Sequence, residues 1–423
     1  MHHVIIGAGP SGVVAAESLR KIDPNSEISL IGDEPERPYS RMALPYYLIK
    51  QIPEEGTHLR KGSNHFTSKN IKMIQDRVTS VNPGSHNLSM ESGSTISYDK
   101  LLIATGSHAV SPPIPGMDLP GIHNCWTLED GRNIAKKAVP GAKVVLMGAG
   151  FIGCIILEAL ARSGAELTVV EMEDRMVPRM MNDIAGNMIK RWCIDQGVNV
   201  HTSTMVKAIE KGSEANPLNV ILDSGEVIEA DLVVSATGVR SNIAFLEGSG
   251  VKTDQGILID RHMQSNIEDI YAAGDVAQGK DFSTGEYTVQ AIQPTAAEHA
   301  LLAAKNMVGF KDAIHPGSVN MNVLDTLGLI SSSFGLWMGA EGGESAELLN
   351  EDRYRYMNLQ FEEDVLVGAT SLGLTQHVGV LRGLIQSKTH LGKWKEKLIE
   401  DPTRVMEAYL AKTQPVGFNP RFV

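Results

Sequence analysis

Val4-Ile5-Ile6-Gly7-Ala8-Gly9-Pro10-Ser11-Gly12 decides how the rest of the chain is read. Three apolar residues come first, the pattern of a short strand buried in a parallel sheet. Gly7, Gly9 and Gly12 then fall in the G-x-G-x-x-G spacing, and Val13 to Lys21 continues as a helix. Each glycine has a physical task. The first permits a tight turn, the second lets backbone approach a pyrophosphate, and the third lets helix and strand pack closely. The helix start offers N–H groups and a partial positive charge to an anion. Gly7, Gly9, Pro10, Ser11 and Gly12 are therefore candidate contacts to a dinucleotide.

The unit recurs between Lys143 and Glu171. A strand Val144-Val145-Leu146-Met147 leads into Gly148, Gly150 and Gly153, then a helix through Ser163 and a second strand from Leu167 to Val170. Glu171 closes that second strand, where an acid suits ribose hydroxyls. Gly148, Gly150, Phe151, Ile152 and Gly153 are the corresponding candidate contacts, and two such units imply two dinucleotides.

Composition narrows the classes. With 423 residues the chain holds two or three domains with full cores. A net charge of −12 argues against nucleic acid as a partner. Cys125, Cys154 and Cys193 lie far apart with no C-x-x-C pairing, which is neither a disulfide framework nor a zinc or iron–sulfur pattern. No signal peptide fits before the first strand, and no apolar run suits a membrane span, so the expectation is a cytoplasmic protein without membrane insertion. His2 and His3 read as terminal decoration. His58, His65, His299, His377 and His390 show no ligand spacing, and no metal site is expected.

Along the chain, Glu27 to Ile31 reads as the second strand, followed by Asp33 and Glu34 as ribose acids. Arg41 lies in a segment bracketed by Pro38 and Pro45, suited to a diphosphate contact or a surface ion pair. Residues 56 to 100 read as short strands and turns. Lys100 to Ile103 is a buried strand ending in Ala104-Thr105-Gly106, and Ser111 to Gly116 reads as a proline-rich linker. Leu232 to Ser235 ends likewise in Ala236-Thr237-Gly238, an internal echo. Ile270 to Ala273 is a further buried strand with Gly274-Asp275 at its end, and a helix runs from Thr295 to Met307. Beyond residue 314 come strands Val319 to Leu324, Arg353 to Phe361 and Val365 to Thr370, then two helices ending near Ala411. The predicted fold is α/β, with two Rossmann-like dinucleotide-binding domains, the second inserted in the first, and a smaller C-terminal α+β domain. The predicted boundaries are 1–112 and 240–313 for the first domain, 113–239 for the second and 314–423 for the third.

Two fingerprints, two Ala-Thr-Gly turns and Ala273-Gly274-Asp275, in this order, resemble the two-dinucleotide flavoprotein reductases of the pyridine nucleotide–disulfide oxidoreductase superfamily. The resemblance covers residues 1 to about 312 firmly and the last hundred more loosely. Gly32-Asp33-Glu34-Pro35-Glu36-Arg37-Pro38-Tyr39-Ser40-Arg41 is similar to ferredoxin and rubredoxin reductases and to the flavoprotein part of NADH-dependent nitrite reductases. The resemblance implies FAD on Gly7, Gly9 and Gly12, with Asp33 at its ribose and Arg41 near its diphosphate. Ala104, Thr105, Gly106, Gly274, Asp275 and the helix start at Thr295 would complete that site. It implies NADH on the second fingerprint, with Glu171 on the ribose, Thr237 and Gly238 nearby, and Phe151 as a nicotinamide gate. Arg175 and Arg179 could instead serve NADPH.

The departures carry information. Met42 stands where related enzymes carry a redox cysteine before Leu44-Pro45-Tyr46-Tyr47, so thiol chemistry at that position is excluded. Tyr46 replaces a lysine common in ferredoxin reductases. Ile155 replaces a glutamate that helps position nicotinamide, and Glu158 is a poor substitute. The expected activity is transfer of electrons from NADH through FAD to a rubredoxin, a ferredoxin or a metal-containing subunit of a larger complex. The alternatives are a peroxide-forming NADH oxidase and an NADH-responsive redox sensor. The third domain and the tail Thr413 to Val423 would supply an acceptor interface or a homodimer contact.

Overall fold

A computed structural model describes residues 1–413. The chain divides into two compact units, one of residues 1–111, 124–135 and 238–318, the other of 112–123, 136–237 and the described residues from Val319 on.

The first unit is built on a five-stranded sheet in the order Ile270–Ala272, Lys100–Ile103, His2–Ile6, Glu27–Gly32, Ile71–Gln75. Every pairing is parallel. Parallel strands lie under cover on both faces and so read as unbroken apolar runs. Val4, Ile5, Leu30, Leu101, Leu102 and Ile103 are fully buried accordingly. The chain winds from the central strand outward to Ile71–Gln75, then returns to the other side at Lys100–Ile103. Order thus reverses between His2–Ile6 and Lys100–Ile103, and ligands of open α/β sheets bind beyond such a reversal. Helices Pro10–Ile22 and Gln293–Met307 pack together, with Ala15, Ala16, Ala300 and Ala303 among the small buried residues that let them approach. A small antiparallel sheet, Val78–Asn82, Asn87–Met90 and Thr95–Ser97, supplies the crossover into Lys100–Ile103.

The second unit repeats this plan. Its sheet runs Asn199–His201, Glu166–Val170, Lys143–Met147, Leu232–Ser235, Ile122–Asn124. A second antiparallel trio, Val206–Lys211, Leu218–Leu222 and Val227–Ala230, supplies its crossover. The same unit holds an antiparallel five-stranded sheet in the order Met321–Thr326, Leu329–Gly335, Val365–Leu372, Arg355–Glu362, Glu344–Asn350. Helices Val378–Ser387, Lys393–Glu400 and Val405–Thr413 contribute Leu381, Leu384, Leu398 and Ala408 to a core with Phe334, Leu359, Phe361 and Leu366.

Several expectations are corrected. Residues 124–135, expected in the second nucleotide domain, pack with the first unit. The segment Ser111 to Gly116 is not a free linker from Pro112 on: Pro115 accepts the Ile209 N–H at 2.9 Å, and Ile114 packs on the apolar core there. Strands Leu329–Gly335 and Glu344–Asn350 and a third C-terminal helix were not anticipated. In the first of these strands Ser331, Ser332 and Ser333 are buried, and Ser332 and Ser371 share a cross-strand hydrogen bond at 2.7 Å. The helix expected from Thr295 starts at Gln293, with Pro294 in its first turn. His3 is no terminal decoration. It is fully buried in the first strand, 3.2 Å from Asp23, and burial holds its pKa below the ordinary value against the pull of that carboxylate. The tail expected to form an interface lies, beyond Thr413, outside the described residues.

Phe361 is 1% exposed in the C-terminal core. Phe361→Ala should cost about 3–5 kcal/mol, read as an earlier urea transition; a loss below about 1 kcal/mol would contradict this packing.

Candidate functional site

Both fingerprints sit where strand order reverses, and their backbones match bond for bond. Gly7 N–H donates to Ile31 at 2.7 Å and Gly148 N–H to Val170 at 2.8 Å. Ala104 N–H donates to Ile6 at 2.7 Å and Ala236 N–H to Met147 at 2.8 Å. The glycines divide the work as the spacing predicts. A Cβ on Gly7 would lie 2.1 Å from the Ala104 carbonyl oxygen, and one on Gly148 would lie 2.7 Å from that of Ala236. Both adopt positive φ, 110° and 95°. A Cβ on Gly12 or Gly153 would strike the Gly7 or Gly148 carbonyl at 1.9 and 2.1 Å. The small Ala-Thr-Gly turns are thus the surfaces against which the first glycines fit.

Gly9 and Gly150 differ. A Cβ there would meet nothing within 4 Å, so packing does not require glycine at either position. These residues also begin helices Pro10–Ile22 and Phe151–Arg162, and neither helix start is capped by a side chain. Open space beside glycine backbone at an uncapped helix start fits a pyrophosphate.

Around the first cradle the chain brings distant residues together. The Ser11 hydroxyl donates to the Ala296 carbonyl at 3.0 Å, tying the fingerprint helix to the first turn of Gln293–Met307, where Thr295 is buried. Gly274, at φ 77°, passes so close that a Cβ would lie 3.3 Å from Ser11. Asp275 is half-buried, accepts from the Ser107 hydroxyl at 3.2 Å, and has its pKa raised by burial, with Ser107 and Arg41 opposing. Thr105 donates from its hydroxyl to Asn242, whose amide returns a bond to the Thr105 carbonyl at 2.8 Å. Asp33 holds Arg77 through one oxygen, at 3.0 and 3.1 Å. Glu34 has both oxygens engaged, by Arg41 at 2.8 Å and the Tyr39 hydroxyl at 2.5 Å. Arg41 is no loose surface ion pair: its guanidinium lies 5.5 Å from both the Tyr39 and Trp126 ring centres.

Tyr39, Trp126, Ser107 and Asn242 escaped the sequence reading. Trp126 arrives on the returning segment 124–135 and donates its indole N–H to the Ser107 carbonyl at 2.9 Å. One signal was present. Thr127 and Asp130 form a reciprocal capping arrangement, with Thr127 N–H to Asp130 at 2.8 Å and Asp130 N–H to Thr127 at 3.1 Å.

At the second cradle Glu171 is 5% exposed and accepts the Ala149 N–H at 2.6 Å and the Glu173 N–H at 2.9 Å. Each carboxylate oxygen has capacity for a further donor. Phe151 and Ile152 open the helix and are half-buried, as is Ile155 one turn on. Glu158 pairs with Arg162 at 2.8 Å and faces Asp325, which with burial raises its pKa; it does not replace a glutamate at 155. Arg175 is occupied by Asp174, Asp183 and the Met181 carbonyl, while Arg179 is exposed. Thr237 approaches Ser235 at 3.3 Å, and Gly238 takes φ 133°.

All three cysteines are buried and free. Burial pushes the Cys125 and Cys193 thiols up to about 12 and the Cys154 thiol well above its usual value. Met42 and Tyr46 are exposed. No group of three His, Cys, Asp or Glu side chains among the described residues could hold a metal ion, and no helix there is long and apolar enough to cross a membrane.

Fold and cradles define the class of α/β proteins with two dinucleotide-binding sheets. The sequence pattern of the pyridine nucleotide-disulphide oxidoreductases matches residues 1–300, and the chain belongs to that family of enzymes. The epsilon subunit of the NADH-dependent phenylglyoxylate dehydrogenase of Aromatoleum evansii is 29% identical over 97% of each chain. The NADH oxidase of Methanocaldococcus jannaschii is 31% identical over 75% of this chain and 72% of that protein. The rubredoxin-NAD(+) reductase of Pseudomonas putida is 28% identical over 72% of this chain and 80% of that protein.

Two outcomes follow. Gly7→Ala should fail to yield folded protein, because backbone cannot yield to a Cβ at 2.1 Å, whereas Gly9→Ala should fold with an unchanged circular dichroism spectrum. An aromatic disulfide reagent at pH 8 should find no reactive thiol until the protein is denatured; one fast-reacting thiol in the native protein would contradict the buried sulfurs.

Proposed function

We propose that this enzyme carries FAD in the first cradle and NADH in the second, and that it passes electrons from NADH to a protein acceptor. The chemistry that bound FAD would supply is acceptance of a hydride from NADH and release of electrons to the acceptor. The single observation that carries the reading is the pair of glycine cradles in a chain whose three thiols are all buried. The cradles suit two dinucleotides, and no accessible thiol can serve a dithiol–disulfide relay.

The chain's own residues do the holding. Backbone N–H groups of Ser11 and Gly12 face the FAD pyrophosphate, while the Ser11 hydroxyl is spent on Ala296. Asp33 takes the ribose, because Glu34 is committed to Arg41 and Tyr39. Arg41 meets the diphosphate end, braced by Trp126. Asp275 and Thr295, in the first turn of helix Gln293–Met307, complete the site with the Ala104-Thr105-Gly106 turn and Gly274. In the second cradle Gly150, Ile152 and Gly153 line the pyrophosphate, Thr237 and Gly238 flank it, and Phe151 gates the nicotinamide. Glu171 favours a 2′-hydroxyl and repels a 2′-phosphate. Arg175 is tied down by two carboxylates, which supports NADH over NADPH.

A protein acceptor is supported by the full-length likeness to a dehydrogenase subunit and by the rubredoxin reductase. A cytoplasmic setting accords with that use of NADH. The oxidase relative favours a second reading, direct reduction of O₂ to peroxide.

Anaerobic stopped-flow mixing with NADH or NADPH, followed by air, tests both. Fast bleaching of the flavin by NADH and slow reoxidation are expected. Immediate reoxidation would move the assignment to the oxidase, and slow reduction by both nucleotides would remove the reductase reading. Glu171→Ala should lower the preference for NADH over NADPH by about tenfold or more, measured as the ratio of kcat/KM values.

A further inference from the structure

Residues 172–181 form a strap across the second fingerprint. Met176, Val177, Met180 and Met181 are all buried. Gly186 lets the strap lie on helix Asp183–Asp195, since a Cβ there would meet the Met176 carbonyl at 2.7 Å. At the centre of the strap, Val177 N–H donates to the Ala149 carbonyl at 2.8 Å. Val177 does so at φ 46°, a left-handed conformation that a β-branched residue adopts only when its surroundings impose it.

The consequence follows from peptide planarity. The Ala149 carbonyl and the Gly150 N–H share one plane and point in opposite directions. Val177 therefore fixes the direction of the Gly150 N–H, the group whose backbone approaches a pyrophosphate. The Ala149 N–H, held by Glu171, fixes the preceding plane in the same way.

The far end of the strap is bolted to the C-terminal sheet of the same unit. Asn182, the next residue, caps helix Asp183–Asp195 by accepting the Ala185 N–H at 3.0 Å. Its amide donates to the Tyr356 hydroxyl at 2.6 Å, which in turn donates to Glu347 at 2.9 Å. Tyr356 is fully buried, so this hydroxyl has no water to fall back on.

We propose that Tyr356, in the C-terminal sheet, is a positioning residue for NADH: by pinning Asn182 it holds the strap, and the strap holds the Gly150 N–H toward the dinucleotide. This rests on the reading that the second cradle takes NADH. Loss of the bolt lets Val177 relax and the Ala149–Gly150 peptide turn.

The test compares purified FAD-loaded Tyr356→Phe, Asn182→Asp and Ser332→Ala with the parent chain. Tyr356→Phe removes only the hydroxyl. Asn182→Asp keeps the cap but removes the donor. Ser332→Ala removes a different buried hydroxyl of the same sheet, so it controls for general loss of stability. NADH affinity is measured by anaerobic titration of the nonreacting analogue with a reduced nicotinamide ring, and hydrogen exchange is followed over 147–153 and 172–182.

The first two variants should weaken binding about fivefold, the double variant no further, with faster exchange in both segments and FAD content unchanged. Ser332→Ala should lower Tm alone. Parent-like affinity in Tyr356→Phe, or equal weakening in Ser332→Ala, would overturn the positioning role while leaving the NADH reading intact. A parent chain that does not bind the analogue would overturn both.

Discussion

Everything in the nucleotide-binding sheets depends on two pieces of main chain lying against each other without a side chain between them. Gly7 rests on the Ala104 carbonyl and Gly148 on that of Ala236. A single methyl group at either glycine would force apart the two strands flanking the reversal of strand order. Close contact sets the exit angle of the first strand, and that angle sets where the following helix starts. The helix start in turn decides where an anion can sit. Position, small-residue turn and binding capacity are one constraint seen at three scales.

That constraint explains what the sequence disclosed. Glycine spacing, buried apolar runs and the Ala-Thr-Gly echo are local patterns with few physical solutions, so both cradles and both parallel sheets could be read directly. The position of Asp275 was legible too, because it lies just past the buried strand Ile270–Ala272. The exclusion of cysteine chemistry rested on Met42 and was reinforced by the burial of every sulfur.

What stayed hidden was set by partners distant in sequence. Ser331, Ser332 and Ser333 lie in a strand because the facing strand offers Ser371, and no window around residue 332 contains that fact. His3 is tolerated in the sheet because Asp23 waits at the end of the next helix. Trp126 braces Arg41 only because the chain leaves the second unit for twelve residues, 124–135, and then re-enters it. The engagement of Glu34 by Tyr39 and Arg41, and of Asp33 by Arg77, was hidden in the same way, since such commitments depend on neighbours and not on residue type.

The chain passes between the two units after Ser111, His123, Ala135, Thr237 and Ser318. This threading dictates an order of events during synthesis. One edge strand of the first sheet, Ile270–Ala272, and the helix Gln293–Met307 that packs on its fingerprint helix leave the ribosome long after His2–Ile6. The nucleotide-binding sheet of the second unit, by contrast, has all its strands by Ser235. The first unit is incomplete while residues 136–237 emerge between its own segments. In that interval His2–Ile6 has partners for both its edges, Glu27–Gly32 and Lys100–Ile103, while the outer edge of Lys100–Ile103 awaits Ile270–Ala272.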